Sequence, residues 1–196
     1  MRLGVGLMAI LTGALALAGC VENPDLAQDQ PYVDERPDGS ALVPGLTTTY
    51  WYVDVHNMRQ ARDAMQRHPS TQGEPVPNLD GQYENGPVLT SGAVDNVIAS
   101  IVGFINFSQS GRYVFTANSN DGVRVEIAGR RVTEDPDAHP DRFSPPGFVD
   151  IDAPGWYPIR VLYFERRGTA TLQLFWTPPG RSAPEIVPAS AFRRKP

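Results

Sequence analysis

The 196-residue sequence has one cysteine, Cys20, so no internal disulfide can form and the fold has to stand on its core. It has no G-x-S-x-G elbow, no H-E-x-x-H pair and no glycine-rich phosphate loop, the common signatures of serine hydrolases, zinc proteases and nucleotide enzymes. Carboxylates are plentiful, but nothing in their spacing holds two of them across a cleft as glycoside hydrolysis requires. An enzyme is therefore not expected. Positive charge is also scarce: 17 Lys and Arg stand against 22 Asp and Glu, a net charge of −5 with no basic stripe. That balance disfavours nucleic acid and anionic lipid headgroups as partners.

What is present begins with an apolar run from Leu3 to Ala18 behind Arg2, ending in Leu17-Ala18-Gly19-Cys20. The run is long enough for a signal-peptide core and slightly short for a spanning helix. The segment resembles a bacterial lipoprotein signal, which implies removal of residues 1–19 and acylation of Cys20 by fatty chains such as palmitate. An ordinary secretory peptide cleaved nearby and an uncleaved anchor are the alternatives. Acyl chains contribute about 0.8 kcal/mol per buried methylene, so several together anchor durably. Val21, where an aspartate would favour inner-membrane retention, points to the outer membrane, with its periplasmic and surface faces both open. Loss of Arg2 from the net charge of −5 leaves the mature chain at −6.

Residues 20–42 comprise the lipidated cysteine and an acidic, proline-containing stretch with few large apolar residues, expected to be a flexible tether. Residues 193–196 form a small basic tail, expected to be solvated. Between them, residues 43–192 are enough for one domain with a real core. Gly45 to Val55 is rich in β-branched and aromatic residues and reads as a strand. Met58, Ala61 and Met65 fall on one helical face and predict a short helix. Pro69 to Gly92 lacks periodicity and reads as an irregular insert, either functional or mobile. From Val97 onward, period-2 alternation dominates: Ile101, Gly103, Ile105 and Phe107, then Tyr113 and Phe115, then Val123, Val125 and Ile127. Later come Tyr157, Ile159, Val161 and Tyr163, and Ala170, Leu172, Leu174 and Trp176. Glycine-containing turns separate these runs. The pattern predicts an all-β domain, an antiparallel β-sandwich or barrel-like fold, with Trp51 and Trp176 in its core.

Three segments carry a more specific signal: GLTTTYW near the start, GFINFSQSGRYVFTANSNDGVRVEIAGRRV in the middle, and GWYPIRVLYFERRGTATLQLFWTPPG followed by IVPASAF. In this order they resemble the protective-antigen domain family, found in a toxin component, in yeast flocculins, in adhesins and beside glycosidase catalytic domains. The resemblance covers roughly Val43 to Phe192 and implies an antiparallel β-sandwich. In sugar-binding members, the position of Asn120-Asp121 holds two aspartates joined by a cis peptide, which coordinate a calcium ion that binds sugar hydroxyls. The resemblance thus implies Asn120 and Asp121 as metal and ligand-binding residues; beside them Asn118 and Ser119 are further sources of oxygen, and Trp156, from its place next to a turn, is the aromatic candidate for binding the ligand. Calcium seeks six to eight hard oxygens, and Asn120 supplies one formal charge fewer than an aspartate would.

The competing reading is a plain tight turn, in which Asn120 and Asp121 cap the backbone and Gly122 tolerates positive φ. The loop bearing Glu134, Asp135, Asp137, His139 and Asp141 is dense in possible ligands and equally consistent with solvated acid. Tyr83 in the insert and Trp156 beside the Pro154-Gly155 turn are candidates for stacking on sugar, or for packing. The expectation is a membrane-anchored carbohydrate-binding or adhesion module, calcium-assisted. The alternative is a structural or interaction lipoprotein of the envelope, binding another envelope protein and neither glycan nor calcium.

Overall fold

The computed structural model of the chain describes residues 36–84 and 86–196; the signal segment, Cys20 and the tether up to residue 35 lie outside the described residues. In chain order the elements are β1 (Val43–Pro44), β2 (Thr47–Tyr52), α1 (Met58–Arg67), β3 (Thr71–Gln72) and β4 (Asp80–Tyr83). Then come β5 (Val97–Phe107), β6 (Gly111–Asn120), β7 (Val123–Ile127), β8 (Arg130–Asp135), β9 (Arg142–Phe143) and β10 (Gly147–Ile151). The chain closes with β11 (Gly155–Glu165), β12 (Ala170–Thr177), β13 (Glu185–Ile186) and β14 (Phe192–Arg194).

The strands make two antiparallel sheets. The first runs β1-β14-β5-β11-β7-β8, with β2 also on β5 and β3 on β2. The second runs β10-β6-β12-β13, with β4 on β12 and β9 on β6. Each sheet keeps its own edges, so the fold is the expected sandwich and not a closed barrel. Its spine is the pairing of β5 with β11, matched from Val97↔Glu165 to Phe107↔Gly155.

Alternation places the apolar sets as the sequence implied. Ile101, Ile105, Phe107, Tyr113, Phe115, Val123, Val125, Ile127, Tyr157, Ile159, Val161, Tyr163, Leu172, Leu174 and Trp176 all lie in one buried cluster between the sheets. A second cluster lies on the outer face of the first sheet, where α1 covers it. Trp51, Ile98, Leu162 and Phe164 meet Val55, Met58, Ala61 and Ala64 there. Trp51 is thus buried, but under the helix and not in the sandwich interior. The helix starts where Asn57 accepts a hydrogen bond from the Gln60 N–H at 3.0 Å, while the Gln60 side chain accepts from the His56 N–H at 2.7 Å. Two end donors are satisfied reciprocally, as in a capping box.

Three stretches differ from expectation. The insert from Pro69 to Gly92 is not wholly irregular: it holds β3, on β2, and β4, on β12, and it is pinned, since Val76, Leu79 and Val88 are buried in the core and the Thr90 hydroxyl bonds the Tyr50 hydroxyl at 2.8 Å and the Glu74 carbonyl at 2.6 Å. Scattered apolar residues with no period can still fill a core when neighbouring backbone pairs with a sheet, as β4 does with β12. The end of the tether is also taken into the fold, since Leu42 is buried and Arg36 pairs with Asp152 at 3.1 Å. The basic tail is not simply solvated. Arg193 and Arg194 belong to β14, and the Arg193 guanidinium donates to the Gly39 and Leu42 carbonyls at 3.0 and 3.1 Å.

Candidate functional site

The β6 strand carries the candidate residues to one end of the sandwich. Along β6 the residues Tyr113, Phe115, Ala117 and Ser119 are buried, while Thr116, Asn118 and Asn120 face outward and are half-buried. The period-2 geometry of a strand makes this division unavoidable. Ser119 therefore points inward and is fully buried; its oxygen faces the core rather than a ligand. The peptide between Asn120 and Asp121 is cis.

Asn120 and Asp121 part company at that peptide. Asp121 is buried, and its carboxylate serves the backbone: Oδ1 accepts from the His139 N–H at 2.9 Å and Oδ2 from the Arg166 N–H at 2.8 Å. The expectation that both residues offer their oxygens outward is not met for Asp121, which ties the loop before β9 to the turn after β11. Asn120 keeps an outward side chain. Its Nδ2 donates to the Thr169 hydroxyl at 3.2 Å, and its backbone carbonyl accepts from the Tyr163 hydroxyl at 2.5 Å. Gly122 is required for space and not for positive φ, which it does not adopt. A Cβ there would stand 2.3 Å from the Phe164 ring and 3.1 Å from the Asp135 carbonyl oxygen.

The neighbouring strand completes the outward face. Thr171 is opposite Asn120 and Gln173 opposite Asn118 in the β6–β12 register. The Asn118 amide donates to Gln173 Oε1 at 3.2 Å, and Gln173 Nε2 donates to Asp80 Oδ1 at 2.7 Å, a chain of amides ending on a carboxylate. The Thr171 hydroxyl donates to Asp141 Oδ2 at 3.1 Å, which brings one acid of the β8–β9 loop to the strand position beside Asn120. The other members of that loop are engaged elsewhere or exposed. Asp135 makes a bidentate pair with Arg142 at 2.6 and 2.5 Å and also faces His139 Nε2 at 3.2 Å. The Arg142 guanidinium holds the Asp135 carboxyl below its usual range. Glu134 pairs with Arg124 and Arg131 at 2.7 and 2.6 Å, while Asp137 is exposed.

Neither aromatic candidate joins this face. Trp156 is at the opposite end of β11 from Glu165, so some ten residues, ~33 Å of strand, separate it from the turn that holds Asp121. It packs against Gly39, where a Cβ would fall 2.4 Å from the indole nitrogen, and the Arg193 guanidinium lies 5.4 Å from its ring centre. Tyr83 lies in β4 opposite Ala170, packed against the core, and burial pushes its hydroxyl up to about 12. Both residues pack, and sequence offered no means of telling packing from display.

Glu165 was not singled out by the sequence, and it is the most unusual group at this end. It is fully buried on the inward side of β11, and neither carboxylate oxygen has a hydrogen-bond partner. Burial first, then the nearby charges of Asp95 and Asp121, raises its pKa to about 8. The strand alternation Tyr157, Ile159, Val161, Tyr163, Glu165 does place it inward, which was the available signal.

Comparison with known proteins bears on the fold. A PA14 domain from an antifreeze protein is similar at 16% identity, with 83% of this chain and 95% of that domain covered and a TM-score of 0.65. A PA14 sugar-binding domain from an RTX adhesin is similar at 20% identity, covering 78% of this chain and 99% of that one, with a TM-score of 0.58. The epithelial adhesin 9 A domain from Candida glabrata, in complex with Galβ1-4GlcNAc, is similar at 13% identity, covering 83% and 94%, with a TM-score of 0.65. Among curated proteins none matches the chain. At these identities the likeness is one of fold. The PA14 domain model matches residues 42–190, and with most of its length so matched the chain belongs to the PA14 domain family.

Proposed function

We propose that this chain is a carbohydrate-binding module of adhesion type, a binder and not an enzyme, held at the bacterial outer membrane by fatty chains on Cys20. Sugar engages the outward side of the Asn118–Asp121 corner. One observation carries the reading: Asn120, outward and half-buried, stands beside the exposed Asp141, which the hydroxyl of the buried Thr171 holds at 3.1 Å, so that an amide and a carboxylate are offered together to the hydroxyls of a sugar. The description of an RTX adhesin's PA14 domain as sugar-binding, and of yeast adhesin domains in complex with galactose-containing disaccharides, supports galactosides as the first ligands to try.

Calcium assistance belongs to the same proposal as its less supported part. Asn120 and Asp141 would supply hard oxygens to the ion. The fit is incomplete, because Asp121 spends its carboxylate on two backbone amides. Among the described residues no group of three His, Cys, Asp or Glu side chains is arranged to hold a metal. Sugar contact is therefore proposed through the protein's own groups, with calcium as an addition.

The test is a glycan array probed with the mature chain carrying Cys20→Ser, run with millimolar calcium and with chelator. Retention of galactosides is expected, with loss in Asn120→Ala. No retention of any glycan in either buffer overturns the reading. A second reading, an envelope interaction lipoprotein that needs no glycan, is favoured by the inward, amide-bound carboxylate of Asp121. It would be supported by a defined cross-linked partner in intact cells together with a blank array.

A further inference from the structure

The outward face of the second sheet does not end at the Asn120 corner. Moving along β6 away from Asn120, the outward residues are Asn118, Thr116, Val114 and Arg112. Register places Phe143 of β9 beside Asn118, Phe175 of β12 beside Thr116, and Phe148 of β10 beside Val114. Cross-strand partners share a face, so all three rings stand on this surface. Phe143 and Phe148 are 59% and 54% exposed, values rare for large aromatics that merely pack. The Phe143 and Phe175 rings meet edge to face across β6 with centres 5.4 Å apart. The Arg112 guanidinium lies 3.9 Å from the Phe148 ring centre and is itself neutralised by a bidentate pair with Asp150 at 2.8 and 2.9 Å.

The chemistry of this face is that of a saccharide platform. Its amides, Asn118 and Gln173, carry no net charge, its basic Arg112 is paired with Asp150, and the carboxylate of Asp80 accepts from Gln173 at its edge, so the surface suits a neutral, hydroxyl-rich occupant and repels an anionic one. Sugar rings present an apolar C–H face and a polar rim, which match an exposed aromatic ring flanked by amides. The face is continuous with the Asn120 corner, since Asn118 and Asn120 are neighbours on one side of β6. From Asn120 to Val114 the track spans six residues, ~20 Å of strand, the length of a short oligosaccharide.

We infer that the Phe143–Phe175–Phe148 face is an extended subsite that holds the sugars following the one bound at the Asn120 corner. This rests on the carbohydrate-binding reading above and adds the length of the ligand to it. Affinity then grows with chain length, because each ring stacked on an aromatic contributes roughly two- to tenfold.

Calorimetric titration of the mature chain carrying Cys20→Ser against galactose, Galβ1-4GlcNAc and a tetrasaccharide of two such units tests this directly. The tetrasaccharide is expected to bind about tenfold or more tighter than galactose. Phe143→Ala with Phe175→Ala should erase that gain while leaving galactose affinity unchanged, and Phe143→Tyr should retain it. Phe148→Ala, on a separate strand, should remove part of the gain and guards against an effect of one variant on folding. Equal affinity for all three ligands, or a gain that survives the Phe143/Phe175 change, overturns the inference and assigns the face to another occupant, such as a protein. Failure of every saccharide to bind overturns the carbohydrate reading itself, an outcome distinct from binding without length dependence.

Discussion

At the residue scale, Asp121 shows how one side chain can satisfy a motif and still serve the fold. Its two oxygens accept the His139 and Arg166 amides, and it is buried. Removing a buried acceptor leaves its donors unsatisfied at about 1–3 kcal/mol each. Asp121→Ala should therefore lower unfolding stability by at least about 2 kcal/mol, in calcium and in chelator alike. Urea denaturation in the two buffers checks this; a loss confined to the calcium buffer would return Asp121 to a ligand role.

Glu165 makes a second prediction at this scale. Its folded-state pKa is raised to about 8 from the ordinary 4.5, by burial and then by Asp95 and Asp121. Between those values the folded chain holds a proton that the unfolded chain has released, so stability falls as pH rises. The contribution is intact below pH 4.5 and its loss is complete above about 8. Thermal melts of the wild type should decline across that window, and Glu165→Gln, which cannot ionise, should flatten the decline. A wild-type profile already flat from pH 5 to 9 would mean that the carboxylate finds a partner on ionising.

At the element scale, the corner between β6 and β7 is built by close approach. Gly122 lies against Phe164, which belongs to the cluster under α1, so the corner is coupled through one ring to the packing of the helix. Overpacking of this kind typically costs about 1–3 kcal/mol. Gly122→Ala is expected to lower the chemical denaturation midpoint accordingly and to reduce galactoside binding by displacing Asn120. The helix itself is the better-read element. Its apolar face was visible in Met58, Ala61 and Met65, whereas its cap shows only in the structure; Asn57→Ala should cost about 1 kcal/mol through loss of that cap, read as a lower melting temperature with ligand affinity unchanged.

At the scale of the whole molecule, the chain enters the domain at one end and the candidate site lies at the other. Gly39 and Leu42 are held by Arg193 beside Trp156, whereas Asp121 lies by the far end of β11. The first described residue, Arg36, pairs with Asp152, and the proposed lipid anchor would lie earlier in the sequence, at Cys20. If Cys20 bears that anchor, Cys20→Ser should move the protein from the membrane fraction to the soluble fraction while glycan affinity stays unchanged. Membrane retention of the variant would sink the lipid-anchor proposal.

Alternation in the sequence was enough to determine the long strands, their buried faces and the sandwich class, because a strand's side chains must divide between two faces and only one can be dry; the short strands β3, β4 and β14 carried no such signal. The spacing of Met58 and Ala61 likewise determined the helix. Tertiary structure decided what stands beside what. It set Thr171 and Gln173 against β6, sent Trp156 to the opposite end, turned the carboxylate of Asp121 onto two amides, and lined three phenylalanines along an open face. Those outcomes depend on which strands pair and in what register, contacts between residues tens of positions apart. Period alone shows which face of a strand is buried; only the pairing shows which side chains share the face left open.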